Sequence, residues 1–233
     1  MQSSTQEQAV AIPCGAVHLD GVFALPSEPT GIVLFSHGSG SSRLSPRNTY
    51  VARDLREAGI GTLLLDLLTP LEDIDPNSRF DIALLTQRLQ CAADWLRTQT
   101  ATASLPIGLF GASTGAAAAL RLSAREDAGV DALVLRGGRT DLATPLELAS
   151  VSAPTLLIVG ALDDLVLTIN RVSYTALKCK KRIEVIDGAT HLFEEAGKLD
   201  EVAVLARHWF ALHLTQPARH PARSVRAVHG PTA

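Results

Sequence analysis

The chain has 233 residues, 46% hydrophobic and 19% charged, with a formal net charge of −3. That length and balance describe a single globular α/β domain burying roughly 70–75% of its unfolded surface, and they exclude a disordered chain. The slight acidity gives no general pull toward nucleic acid or an anionic membrane.

In chain order, residues 1–8 show no basic segment followed by an apolar one, and no run of 18 uncharged apolar residues follows anywhere. No signal peptide and no membrane span are expected. Residues 9–13 and 16–25 read as short antiparallel strands, and residues 26–30 as a loop. Residues 31–36 form a continuous apolar run, the pattern of a strand covered on both faces. Residues 50–58 read as a helix closed by Gly59, and residues 61–66 as the next strand. After a loop at 69–78, residues 79–98 read as a long helix whose apolar stripe includes Ile82, Leu85, Leu89, Ala92 and Leu96. Strands at 105–110, 130–135, 155–159 and 182–186 alternate with helical segments, the last helix running from about 200 to 214.

This alternation predicts an α/β fold with a mostly parallel central sheet, helices on both faces and an antiparallel N-terminal edge. One domain over residues 1–214 is expected. The basic, proline-containing stretch 215–233 carries no acidic residue and is expected to be a disordered tail. Cys14, Cys91 and Cys179 are odd in number and show no C-x-x-C spacing, so neither a disulfide framework nor a zinc site is indicated. Cys91 falls in a helical pattern and reads as a buried core residue. The expectation is a cytoplasmic chain with free thiols.

The chemistry centres on Gly111-Ala112-Ser113-Thr114-Gly115, between an apolar strand and an alanine-rich helix at 116–126. G-x-S-x-G at such a junction makes a turn so tight that small residues must flank the serine. The same residues also fit an ordinary small-residue turn, so the rest of the chain must decide. The strand at 155–159 runs into Gly160-Ala161-Leu162-Asp163-Asp164, and the strand at 182–186 runs into Asp187-Gly188-Ala189-Thr190-His191. Ser113, an acid and His191 therefore fall on one sheet edge, in the chain order serine, acid, histidine.

Ser113 needs a base, which His191 supplies at neutral pH, and His191 needs a carboxylate to orient it. Asp163 is preferred for the acid by its Gly-x-x-Asp spacing, leaving Asp164 to cap the helix or face solvent. His18, His208 and His213 fall in an early strand and the last helix and do not compete. The oxyanion hole is expected from the N–H groups of Thr114 and Ser39, the latter in the loop 37–42. That loop lacks the lysine and third glycine of nucleotide-binding motifs.

His37-Gly38, the serine turn, Gly160-Ala-Leu-Asp163 and Gly188-Ala-Thr-His191-Leu-Phe together resemble the α/β-hydrolase superfamily, specifically its dienelactone-hydrolase-like group, over about residues 10–214. The resemblance implies an α/β-hydrolase fold, a Ser113–His191–Asp163 triad and no cofactor or metal. Dienelactone hydrolases proper carry cysteine as nucleophile. Ser113 at that place implies instead a serine esterase of small esters or lactones, with a small molecule as its partner. The stretch 37–48 is also similar to a bacterial subgroup of small hydrolases, some joined to phosphoribosyltransferase domains; no second domain is expected here.

His37 and four arginines, Arg43, Arg47, Arg136 and Arg139, are expected in loops on the catalytic edge as candidate substrate contacts. Arginine suits an anionic ester, while pairing with Asp66, Asp73, Asp81 or Asp141 is the alternative for most of them. The twenty residues between the strands at 135 and 155 are too few for a cap domain, so an open pocket with a modest lip at 67–78 is expected. Acyl transfer and cofactor-free perhydrolysis fit the same three residues, as does a non-catalytic binding protein on the same fold.

Overall fold

Burial alternates along residues 7–24 because they form an antiparallel hairpin with one face to the core: β1 (Glu7–Cys14) and β2 (Val17–Ala24). The computed structural model describes residues 5–214. The expectation for residues 215–233 lies outside them.

The strands β3 (Ile32–Ser36), β4 (Gly61–Leu65), β5 (Ile107–Ala112), β6 (Ala132–Arg136) and β7 (Thr155–Gly160) are buried at every residue. β8 (Lys181–Ile186) closes the far edge and is only partly covered. The eight strands run in the order β1-β2-β4-β3-β5-β6-β7-β8, antiparallel across β1, β2 and β4 and parallel from there on. This is the α/β-hydrolase fold, without a separate cap domain.

In chain order the helices are α1 (Pro46–Glu57), α2 (Pro76–Phe80), α3 (Ile82–Thr98), α4 (Thr114–Ser123), α5 (Pro145–Ser150), α6 (Asp164–Ala176) and α7 (Lys198–His213). α1 and α7 cover one face, packing Val51, Leu55, Ala206 and Phe210 on Val33, Phe35, Val134 and Ile158. α3 and α4 cover the other, packing Leu85, Leu89, Ala117 and Leu120 on Leu34, Leu63, Leu109 and Leu135. Alternate residues of each strand thus feed two cores, which is why the strands read as continuous apolar runs.

Several boundaries differ from those read in the sequence. α1 starts at Pro46 rather than residue 50, since the Ser45 hydroxyl accepts the Asn48 N–H and Pro46 suits the first helical position. The helix expected at 79–98 is two helices, broken where the Asp81 carboxylate caps α3 by accepting the Leu84 N–H. The lip carries a short 3₁₀ turn, Glu72–Ile74, and α2. Arg136, expected in a loop, is the last residue of β6.

The cysteine expectation is corrected. Cys14 and Cys91 form a disulfide, and Cys179 alone is free. The end of β1 lies against α3, bringing the two Cα atoms to 5.5 Å across 77 residues of sequence. Spacing rules search for nearby cysteines and do not see a strand end meeting a helix. The expected cytoplasmic location rested partly on free thiols and loses that support. Among the described residues no helix is long and apolar enough to cross a membrane.

Candidate active site

Ser113 sits between β5 and α4 with φ 50° and ψ −120°, a conformation that non-glycine residues rarely adopt. Backbone bonds hold it there: the Ser113 N–H donates to the Arg136 carbonyl (3.2 Å), and the Arg139 N–H donates to the Ser113 carbonyl (2.9 Å). Its neighbours must be glycine. A Cβ on Gly111 would stand 2.6 Å from Ala116 Cα, and one on Gly115 2.2 Å from the Ser36 carbonyl oxygen. α4 therefore starts pressed against residues 36 and 37.

The loops after β7 and β8 are laced together by backbone bonds from Ala161 N–H to the Ile186 carbonyl and from Leu162 N–H to the Ala189 carbonyl, both 2.9 Å. The lacing brings Asp163 and His191 into contact. His191 Nδ1 lies 2.6 Å from Asp163 Oδ2. An ionised carboxylate only accepts, so in the neutral imidazole this contact puts the proton on Nδ1 and leaves the lone pair on Nε2. The Asp163 side chain is 15% exposed and that of His191 38%, so the pair is half-sheltered with one ring edge open. Asp164 lies exposed in the first turn of α6. A negative charge there favours the helix dipole.

The loop 37–42 lies against Ser113, a Cβ on Gly38 being 2.9 Å from its Cβ. The Ser39 N–H donates to the Thr114 hydroxyl at 2.8 Å. The two residues expected as oxyanion donors are therefore bonded to each other, one through its backbone and one through its side chain. His37 is buried and uses both ring nitrogens on backbone: Nε2 accepts the Leu67 N–H (3.0 Å) and Nδ1 donates to the Gly38 carbonyl (2.9 Å). Those partners fix the neutral tautomer. Burial pulls its pKa below the ordinary histidine value, against the opposing effects of the Gly38 bond, Asp66 and Asp73. Expected against substrate, this ring ties the loop to the end of β4.

Three of the four candidate arginines are in ion pairs. Arg43 pairs with Asp66, and Asp20 lies 3.7 Å away. Arg47 pairs with Glu194 at 2.7 Å, and Arg139 makes a two-pronged contact with Asp141 at 2.8 Å. Arg136 differs. It is 7% exposed, and among the described residues its Nε and Nη1 have no hydrogen-bond partner. Arg79, which the sequence reading passed over, pairs with Asp73 beside Gly40 and lines a depression with His37, Ser39 and Thr114. No local signal marks it, because the lip folds back onto the loop 37–42 only in three dimensions.

No protein-family model matches the chain. A dienelactone hydrolase from Anabaena variabilis, known from its crystal structure, is 51% identical, with 90% of this chain and 99% of that one covered at a TM-score of 0.87. An α/β serine hydrolase without lid from Xanthomonas campestris shares the fold at 22% identity, covering 89% of this chain and 95% of its own with a TM-score of 0.72. A Mycobacterium tuberculosis protein provisionally named a phosphoribosyl transferase is 51% identical over 212 residues, 91% of this chain and 48% of that protein. The chain thus spans about half the length of the curated relatives it matches. Sharing half its residues with a dienelactone hydrolase along nearly the whole of both chains, the chain belongs to the dienelactone-hydrolase-like group of the α/β-hydrolases.

Proposed function

We propose that the chain is a serine hydrolase that cleaves small carboxylic esters or lactones through an acyl-enzyme on Ser113. The observation that carries the reading is the 2.6 Å contact from His191 Nδ1 to Asp163, on the same sheet edge as a serine held at φ 50°. His191 Nε2 takes the Ser113 proton as Oγ attacks the carbonyl carbon, and Asp163 stabilises the imidazolium that forms. The C–O bond to the leaving alcohol then breaks, and the imidazolium returns its proton to that oxygen. Water, deprotonated by the same nitrogen, then adds to the acyl carbon, the bond to Ser113 Oγ breaks, Oγ takes the proton back from the imidazolium, and the acid leaves.

The tetrahedral oxygen takes the Thr114 N–H at the start of α4, where the helix dipole also favours negative charge. Ser39 becomes the second donor once the Thr114 hydroxyl turns about its Cα–Cβ bond and releases the Ser39 N–H. The transferase activity in the relative's name concerns a protein about twice as long, and the serine turn and the Asp163–His191 pair support hydrolysis here.

A fluorophosphonate probe tests the proposal. Labelling of the wild-type protein should vanish in Ser113→Ala. Folded wild-type protein that takes no label would overturn the reading.

A further inference from the structure

Arg136 lies on the α1/α7 face of the sheet, since Val134 two residues earlier packs in that core. Its guanidinium carbon is 5.9 Å from the centre of the Phe193 ring, two residues past His191. Burial and the neighbouring positive charge of Arg47 both pull its pKa down, to about 10, and no carboxylate opposes them. The group is thus a full cation at neutral pH, 7% exposed, with two donors unused. A buried charge left unpaired is costly, and proteins keep one where something else pairs it.

Arg47, in the first turn of α1, pairs with Glu194, the residue after the Phe193 that Arg136 overlies, and among the described residues its Nε is buried and unused, as is the Oδ1 of the adjacent Asn48. Among the described residues Glu194 is the one carboxylate paired with Arg47, and its side chain is 63% exposed. Exposed ion pairs of this kind contribute little and open readily. Two arginines and one surface carboxylate leave one net positive charge beside the residues that carry the catalytic histidine.

We propose that Arg136 and Arg47 form a binding site for one small oxyanion, a carboxylate or phosphate group, which displaces Glu194 from Arg47. The planar fork of each guanidinium suits two oxygens of such a group. The anion is either free or carried by the ester, and only the second case rests on the hydrolase reading above.

The test has two arms. In the first, wild-type melting temperature is followed against sodium phosphate, and separately sodium acetate, at constant ionic strength. The expected result is a saturable rise that is lost in Arg136→Met and reached at several-fold lower anion concentration in Glu194→Gln. An unpaired structural charge behaves oppositely. Arg136→Met would then melt above the wild type, and neither protein would respond to anion. A wild-type protein indifferent to both anions, or a Glu194→Gln response no tighter than wild type, overturns the site, and the latter result does not depend on Arg136→Met folding.

In the second arm, kcat/KM is compared for p-nitrophenyl hydrogen succinate and neutral p-nitrophenyl butyrate. A ratio of anionic to neutral that falls tenfold or more in Arg136→Met places the anion on the substrate. An unchanged ratio with the phosphate response intact makes it a free anion. If no ester is turned over at all, the hydrolase reading fails, while the melting arm still decides the site.

Discussion

Two adjacent carboxylates, Asp163 and Asp164, meet different surroundings at the start of α6. Asp163 turns inward to His191 Nδ1, while Asp164 stays exposed in the first helical turn. Removing the charge of Asp163 changes which nitrogen of His191 carries the proton, so Asp163→Asn should lower kcat by about 10³–10⁴. Asp164→Asn should change it less than about threefold, and ester turnover by the purified variants checks both. The reverse ranking would move the acid one residue along the chain. His37 is subject to a different control. Its pKa is lowered in the fold, so the neutral ring is favoured there, and its contribution to stability is full above the ordinary value near 6.5 and lost as the pH falls below it. His37→Gln removes that dependence, and the gap in melting temperature between wild type and variant should narrow from pH 7 to pH 5. His213, also held down by burial, is present in both proteins and cancels.

At the scale of elements, the loops after β7 and β8 act as one unit because Gly160 lets their backbones touch. A Cβ there would stand 2.3 Å from the Ala189 carbonyl oxygen and 2.6 Å from that of Thr190. Neither is a flexible side-chain end, so Gly160→Ala must push away the segment that carries His191. Overpacking of this kind destabilises by about 1–3 kcal/mol, and a displacement near 1 Å costs on the order of 10²-fold in rate. Thermal melting and ester turnover of the variant should show both effects. The elements themselves were legible where a physical rule has a sequence signature. β3 and β7 are covered on both faces and read as unbroken apolar runs, and Asp163 and His191 stand at strand ends in the order the fold requires. What escaped depends on side-chain orientation or on contacts distant in the chain. The break at Asp81 needed a carboxylate turned back onto its own helix start. The Ser39–Thr114 bond spans 75 residues. Arg139 and Asp141 are two residues apart and could be paired from sequence, whereas the missing partner of Arg136 shows only once its neighbours are known.

Across the whole molecule, the antiparallel edge is tied to the α3 layer by Cys14–Cys91. In the chain-entropy account, closing a loop of 77 residues stabilises the fold by about 4 kcal/mol, worth about 10 °C in melting temperature at this size. The double variant Cys14→Ala/Cys91→Ala should melt lower by about that amount, while reductant should lower the wild type and leave the variant unchanged. Thiol titration of denatured, unreduced protein should find one free group; three would remove the bridge.

The bridge also encloses the lip, where Leu71, Ile74 and Phe80 are 82%, 73% and 55% exposed. A protease cutting there severs the polypeptide inside a covalent ring. The result is a two-chain protein, with the loop 37–42 on the first piece and Ser113, Asp163 and His191 on the second. A single sulfur–sulfur bond would then be the covalent link between the loop 37–42 and the segment that carries Ser113, Asp163 and His191.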